Sequence, residues 1–126
     1  MSDDRLYLVH ILECISRIEK YTVDGKSRFA ADTMVQDAVM RNLQILAEST
    51  QKLSKELKDA HPDIEWASIS GFRNILVHAY LGIKLNRIWN VVSQDIPALK
   101  IKTEAMIKDL DSKFPLSPPG TIPFDP

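Results

Sequence analysis

Cysteine and surplus charge are both scarce in this 126-residue chain, and each scarcity excludes a class of protein. A single cysteine, Cys14, cannot form an intramolecular disulfide, and together with three scattered histidines it offers no zinc-binding spacing. Sixteen basic residues against seventeen acidic ones give a net charge of −1. The chain as a whole is therefore not a basic nucleic-acid binder, although a local basic cleft stays open as an alternative.

Long apolar runs are also missing. Charges are spread through the first twenty residues, so these lack the apolar core of a signal peptide. No window approaches the ~18 uncharged apolar residues that a membrane span requires. We therefore expect a cytoplasmic protein with no membrane segment, and a single domain of this length needs neither disulfides nor a metal to fold.

Helical periodicity dominates what is present. Apolar residues recur at spacings of three and four, strand-like alternation of useful length does not occur, and turn signals lie at residues 24–27 and 61–63. The pattern predicts an all-α fold, an antiparallel up-and-down helical bundle of four to five helices. The expected helices are 3–22, 27–58, 65–80 (with a bend near Gly71), 84–94 and 95–113.

Proline separates the chain into two parts. Residues 114–126, FPLSPPGTIPFDP, hold five of the seven prolines and cannot continue a helix. We therefore expect a helical bundle over residues 1–113 and an extended proline-rich tail over residues 114–126.

One segment, GFRNILVHAYLG at residues 71–82, has more polar residues than a plain bundle helix needs. On a helix Arg73 and Tyr80 share a face, and Asn74 and His78 lie one above the other beside them. The simple interpretation is structural, with each side chain satisfied by a local partner. Four hydrogen-bonding residues within eight positions also permit a functional patch, and the spacing alone leaves both interpretations open.

Cleavage of an RNA phosphodiester is one reaction that such a patch could perform. Histidine, with an unperturbed pKa of ~6.5, suits removal of the 2′-hydroxyl proton. The planar fork of arginine donors suits the crowded, negatively charged phosphorane. This chemistry requires no metal, and no carboxylate cluster is evident in the sequence.

The second predicted helix carries Arg41, Glu48 and Lys52 beside its apolar stripe. Glu48 could accept a bidentate bond from either Arg73 or Arg41. The alternative is an ordinary solvated charge pair worth a few tenths of a kcal/mol. Composition does not choose between them.

These residues resemble a known family. The run from Arg73 to Tyr80 has the form R-N-x-x-x-H-x-Y, similar to the signature of the HEPN superfamily and specifically of HepT-like toxins of HepT–MntA pairs. Residues 41–49, RNLQILAES, are similar to the family's R-N-x-x-x-x-G-E-A segment. Pro62 to Trp66 and Trp89 also fall at familiar positions. One departure is Ala-Glu-Ser at residues 47–49, which keeps the small–acid–small character.

The resemblance implies a dimer and a metal-independent endoribonuclease toxin that leaves a 2′,3′-cyclic phosphate and uses no cofactor. His78 would be the general acid/base, while Arg73 would bind the scissile phosphate with Asn74 orienting it. An MntA-like minimal nucleotidyltransferase antitoxin would silence the enzyme by adenylylating Tyr80. The resemblance also implies that Arg41 binds phosphate and that Glu48 and Asn42 support the site.

Two alternatives stand beside this interpretation. The chain could be a non-catalytic HEPN module that binds a nucleotidyltransferase or nucleic acid without cutting. It could also be an unrelated helical scaffold, which requires Arg73 and His78 to be buried, fully paired and far from any pocket.

Overall fold

Within the part of the chain that the structure describes, four long helices form a bundle and three short ones lie at their connections. The structure, a computed structural model, describes residues 3–78 and 82–113, so the predicted tail lies outside the described residues. Its helices, with a π-helical turn at Val91–Asp95, are α1 (Asp4–Tyr21), α2 (Gly25–Ala31), α3 (Thr33–Gln51), α4 (Lys55–Ala60), α5 (Trp66–His78), α6 (Leu85–Asn90) and α7 (Ile96–Lys113). The described residues contain no strand, which confirms the all-α class.

Polar contacts between helix ends show that α1 runs antiparallel to α3 and to α7. At the start of α1, the Asp4 carboxylate accepts bonds from the Ser54 N–H at 2.8 Å and the Ser54 hydroxyl at 2.6 Å, just beyond the end of α3. Arg5 pairs with Asp111 near the end of α7 at 2.7 Å. Both contacts bring the start of one helix to the end of its neighbour, as an up-and-down bundle requires.

The core lies where the apolar stripes of the long helices meet. Burial of these side chains is the main driving force of folding, at about 25 cal/mol per Å² of apolar surface. Cys14 is 1% exposed and packs as a small core residue. The core consists of Leu8, Ile11, Cys14, Ile15, Ile18, Phe29, Val39, Leu43, Leu46, Leu53, Leu57, Ile64, Leu76, Ile88, Val92, Ile96 and Met106.

The single helix predicted over residues 27–58 is wrong: the chain forms α2, α3 and α4 there. Asp32 has an extended backbone and its side chain accepts from the N–H groups of Met34 and Val35, so it ends α2 and caps α3. Ser54 likewise caps α4 by accepting from the Leu57 N–H. Both are preferred N-cap residues, and the satisfied N–H groups stabilise new helix starts at these points. The turn predicted at 24–27 is also shorter, since α2 begins at Gly25.

The segment before α7 is a change of helix type rather than a break. The Ile96 N–H donates to the Val91 carbonyl, which closes a wider ring than an α-helical bond does. Pro97 follows immediately, and proline lacks an N–H and crowds the carbonyl four residues earlier. The π-helical turn accommodates that proline, so α6 and α7 follow each other without a loop.

Trp66 anchors the first turn of helix α5 to the end of α4. The Trp66 indole N–H lies 3.2 Å from the Lys58 carbonyl and 3.1 Å from the His61 carbonyl, both at the end of α4. From this anchor α5 continues through Gly71 to His78. None of the helices in the described part of the chain is long and apolar enough to cross a membrane.

Candidate active site

Helix α5 presents two of the predicted polar residues, Asn74 and His78, on its outer side. Leu76 is its one buried residue, and it points toward α3. Asn74 and His78 are four residues apart and exposed, on the side of α5 away from the bundle. Arg73 lies between these two sides, with 29% of its side chain exposed. The structure therefore brings Arg73 and Asn74 together and leaves the His78 ring facing outward one turn later.

The Arg73 guanidinium has donors that are barely used. Its Nη2 lies 3.4 Å from Glu48 Oε1, and its Nη1 lies 3.5 Å from Asn74 Oδ1, both at the outer limit of a hydrogen bond. Its Nε is buried and has no partner among the described residues. A buried unsatisfied donor costs about 1–3 kcal/mol. The resting arrangement of Arg73 is therefore one that an anionic ligand could improve.

Glu48 is held by α3 itself as well as by Arg73. The Gln44 side-chain amide donates to Glu48 Oε1 at 3.1 Å, one helical turn earlier. This bond lowers the pKa of Glu48, and the Arg73 bond and the charges of Arg73 and Arg41 lower it further against a desolvation effect. Glu48 thus pairs with Arg73 rather than Arg41, and through a single oxygen rather than in the bidentate geometry that was one of the two open alternatives.

Gln44 is the site residue that the sequence reasoning missed. The signal was available, because Gln44 and Glu48 have the i,i+4 spacing at which an amide and a carboxylate meet on a helix. Asn42 was predicted as support, and it is buried and donates to the Ala38 carbonyl at 2.9 Å within its own helix. Arg41 is exposed on α3, and Tyr80 lies outside the described residues.

Two depressions flank α5. A groove of about 290 Å³ lies between α3 and the end of α5, beside the Glu48–Arg73 pair. A larger cleft of about 550 Å³ lies between α3, α5 and the α6–α7 segment, and its walls include Phe72, Arg87 and Lys102 but not Arg73, Asn74 or His78. We place the candidate site beside the smaller groove, because Gln44 in its lining bonds Glu48, which Arg73 approaches. Arg73, Asn74 and His78 do not line this groove either.

The scaffold alternative required Arg73 and His78 to be buried and fully paired. Exposure of His78 and the orphaned Arg73 Nε contradict that requirement. Within residues 3–78 and 82–113, no group of three or more His, Cys, Asp or Glu side chains is arranged to hold a metal ion.

Sequence comparison agrees with the geometry. The family model of HepT-like ribonucleases matches residues 11–106, which include every predicted site residue. The chain belongs to this family. A Thermococcus cleftensis protein named "probable ribonuclease HepT" is 37% identical over 103 residues, covering 81% of this chain and 94% of that protein.

Two further relatives extend the comparison. A Methanocaldococcus jannaschii protein named as a gamma-glutamylcyclotransferase and candidate RNase is 37% identical over 110 residues, 86% of this chain, and the chain spans about half (50%) of its length. A Caldanaerobacter subterraneus protein named as a candidate RNase is 32% identical over 109 residues, covering 86% of this chain and 97% of that protein. No solved structure matches the chain.

Proposed function

We propose that this protein is a metal-independent endoribonuclease toxin that cuts RNA and leaves a 2′,3′-cyclic phosphate. One observation carries the proposal. Arg73, whose buried Nε–H has no partner among the described residues, lies on the same helix as the exposed His78. Membership of the HepT-like ribonuclease family supports it.

The proposed reaction uses each residue for what its chemistry allows. A neutral His78 imidazole takes the proton of the 2′-hydroxyl, and the 2′-oxygen attacks the adjacent phosphorus. Arg73 exchanges its long bond to Glu48 for the phosphate oxygens and stabilises the charge of the phosphorane, while Asn74 orients it. The P–O5′ bond then breaks, the 5′-oxygen takes a proton, and the cyclic phosphate remains. Arg41 binds a neighbouring phosphate as the strand crosses α3.

A second copy of the chain supplies the acid that protonates the leaving oxygen. The outer face of α5 carries small residues beside the polar ones, at spacings of four, three and four: Ala67, Gly71, Asn74 and His78. A Cβ added at Gly71 meets nothing within 4 Å, so this face is open for a neighbouring helix. A two-fold axis here would place two His78 side chains in one cleft, in an isologous interface.

Neutralisation, in our proposal, occurs by adenylylation of Tyr80, with an MntA-like nucleotidyltransferase as the antitoxin of a type VII-like pair. Tyr80 is seven residues from Arg73 and therefore on the same helical face if α5 continues. An added AMP would place bulk and negative charge where the RNA backbone must lie, so it would block binding by occlusion and repulsion.

Expression of the chain alone tests the catalytic claim, beside His78→Ala and Arg73→Ala variants shown to be folded by circular dichroism. His10→Ala is the matched control, since His10 packs edge-on against Tyr7 and lies outside the site. We expect the parent and His10→Ala to arrest growth and to fragment RNA with cyclic-phosphate ends. The RNA fragmentation should persist in EDTA. The other two variants should be harmless.

Equal behaviour of the parent and both site variants at equal soluble levels, with no RNA fragments, would refute the catalytic claim. The chain would then be a HEPN module that binds without cutting. Neutralisation is tested separately with Tyr80→Phe, which should still cut RNA but resist a co-expressed nucleotidyltransferase. If the nucleotidyltransferase neutralised Tyr80→Phe as well as it neutralised the parent, Tyr80 would be excluded as the modified residue.

A further inference from the structure

Arg73 and Glu48 form only half of the ion pair that their chemistry permits. The Nε–H and one Nη2–H of an arginine lie along the same edge of the guanidinium, and a carboxylate that pairs fully with this edge uses one oxygen for each. Here Nη2 lies 3.4 Å from Glu48 Oε1, while Nε is buried and has no partner among the described residues. One donor of the edge is therefore unused although a carboxylate lies beside it.

Glu48 shows the other half of this mismatch. Both hydrogen bonds that it accepts in the described part of the chain end on Oε1, one from Gln44 and one from Arg73, and none there ends on Oε2. The bond from Gln44 is the shorter, at 3.1 Å against 3.4 Å. It is also the largest single cause of the lowered pKa of Glu48. Gln44 is therefore the closer partner of this carboxylate.

The position of Gln44 accounts for the half-formed pair. Gln44 precedes Glu48 by one helical turn, so α3 fixes where its amide lies. A carboxylate that pairs with both edge donors lies in the plane of the guanidinium, and Glu48 would have to rotate to bring Oε2 toward Arg73 Nε. The bond from Gln44 resists that rotation, because it ties Oε1 to α3.

An arginine held through one long bond stays available to another anion. A phosphate can take both edge donors of an arginine in the same bidentate way as a carboxylate. Because Nε is shielded from solvent, Arg73 must turn outward before a phosphate reaches it, and a complete pair with Glu48 would oppose that turn. When Arg73 turns away, Gln44 still donates to Glu48, so the carboxylate keeps a partner.

We propose that Gln44 is a positioning residue of the site, which holds Glu48 so that its pair with Arg73 stays half-formed and both edge donors of Arg73 remain available to an RNA phosphate. Gln44 touches no substrate in this scheme and acts through Glu48. The assignment rests on the proposed RNA cleavage, and it adds to that reaction the contact that keeps its phosphate-binding arginine free.

Binding of an RNA oligonucleotide with 2′-O-methyl groups tests the proposal without cleavage, because the attacking hydroxyl is blocked. Gln44→Met keeps the length and the helix propensity of the side chain but removes the donor. We expect it to raise the Kd about tenfold, because the phosphate must then displace one more charged hydrogen bond. Gln44→Ala, a second variant without the donor, should give the same result. Gln51→Met, at an exposed position of α3, is the matched control and should bind as the parent does.

Three readouts distinguish this role from a merely structural one. In a Glu48→Gln background, Gln44→Met should leave the Kd unchanged, because no carboxylate remains to close on Arg73. In protein labelled with ¹⁵N-arginine, the Arg73 Nε–H signal should move downfield in Gln44→Met, because that N–H gains a carboxylate acceptor. With cleavable RNA, Gln44→Met should raise KM about tenfold and change kcat less than about twofold, since the bound phosphate has displaced Glu48 in both proteins.

The outcomes separate the role of Gln44 from the function on which it rests. Cleavage in which Gln44→Met equals Gln51→Met in KM, with the Arg73 signal unmoved, would overturn this role and leave the ribonuclease standing. A moved Arg73 signal and weaker oligonucleotide binding, in a chain that cuts no RNA, would support the role and refute the catalytic claim. Weakening that persists in the Glu48→Gln background, or a loss of kcat without a rise in KM, would overturn the role as well.

Discussion

Gly71 is a position at which two substitutions should distinguish the stability of the single chain from that of the proposed dimer. It lies in the middle of α5, it is exposed, and a Cβ added there meets nothing within 4 Å. Glycine in a helix interior is about 0.8–1.0 kcal/mol less favourable than alanine. Gly71→Ala should therefore stabilise the single chain by up to about 1 kcal/mol.

That free energy corresponds to a measurable increase in the melting temperature, Tm. Unfolding entropy is about 2.1 cal/mol/K per residue, or roughly 0.26 kcal/mol/K for 126 residues. Gly71→Ala should accordingly raise the Tm by about 3–4 °C. The melt is recorded at low protein concentration, because dimerisation would otherwise make the Tm depend on concentration.

A larger residue at the same position tests the proposed dimer face. Leucine has nearly the helix propensity of alanine, but it would project into a partner helix lying against Gly71. Overpacking typically costs about 1–3 kcal/mol, so Gly71→Leu should raise the dimer Kd by roughly 5- to 150-fold and reduce RNA cleavage with it. Sedimentation velocity over a dilution series measures the Kd, with Ala105→Leu at an exposed position of α7 as the control.

Either of two results would refute this reasoning. A lower Tm for Gly71→Ala in dilute solution would show that the position is crowded in the single chain. A dimer that is as tight in Gly71→Leu as in Ala105→Leu would show that the outer face of α5 is not the interface.

Three further predictions follow from other contacts. Ser54→Ala removes the cap of α4 and one bond to the buried Asp4, so it should lower the free energy of unfolding by about 1–3 kcal/mol in a urea titration. The lowered pKa of Glu48 gives stability that is present above its usual value of 4.5 and is lost as the pH falls through the lower folded value, so Glu48→Gln should flatten the acid limb of stability against pH. Arg73→Lys should lower kcat more than it raises KM, because an ammonium keeps the charge but loses the two-pronged contact in the transition state.

The sequence determined the local features on its own. Spacings of three and four identified α1 and the buried stripe of α3, because helical geometry fixes which residues share a face whatever the rest of the chain does. The same rule placed Asn74 and His78 together on α5 and away from Leu76. The family signature from Arg73 to Tyr80 is a short stretch of sequence, so it could be recognised without knowledge of the fold.

The helix caps could in principle have been recognised from the sequence, but the apolar periodicity favoured a single long helix instead. The apolar pattern continues across Asp32 and Ser54 with little interruption, so a single long helix fitted residues 27–58. Only the cap bonds to Met34, Val35 and Leu57 show that the chain restarts there. A side-chain oxygen that satisfies free N–H groups outweighs the small preference for continuing the helix.

Only the tertiary structure decided which groups meet across helices. Arg73 and Arg41 were equal candidates for Glu48, and the packing of α5 on α3 selects Arg73 while it leaves Nε without a partner. The groove beside that pair exists for the same reason. Contacts between helices depend on their relative rotation and register, which the packing of many core side chains sets jointly and no local spacing specifies.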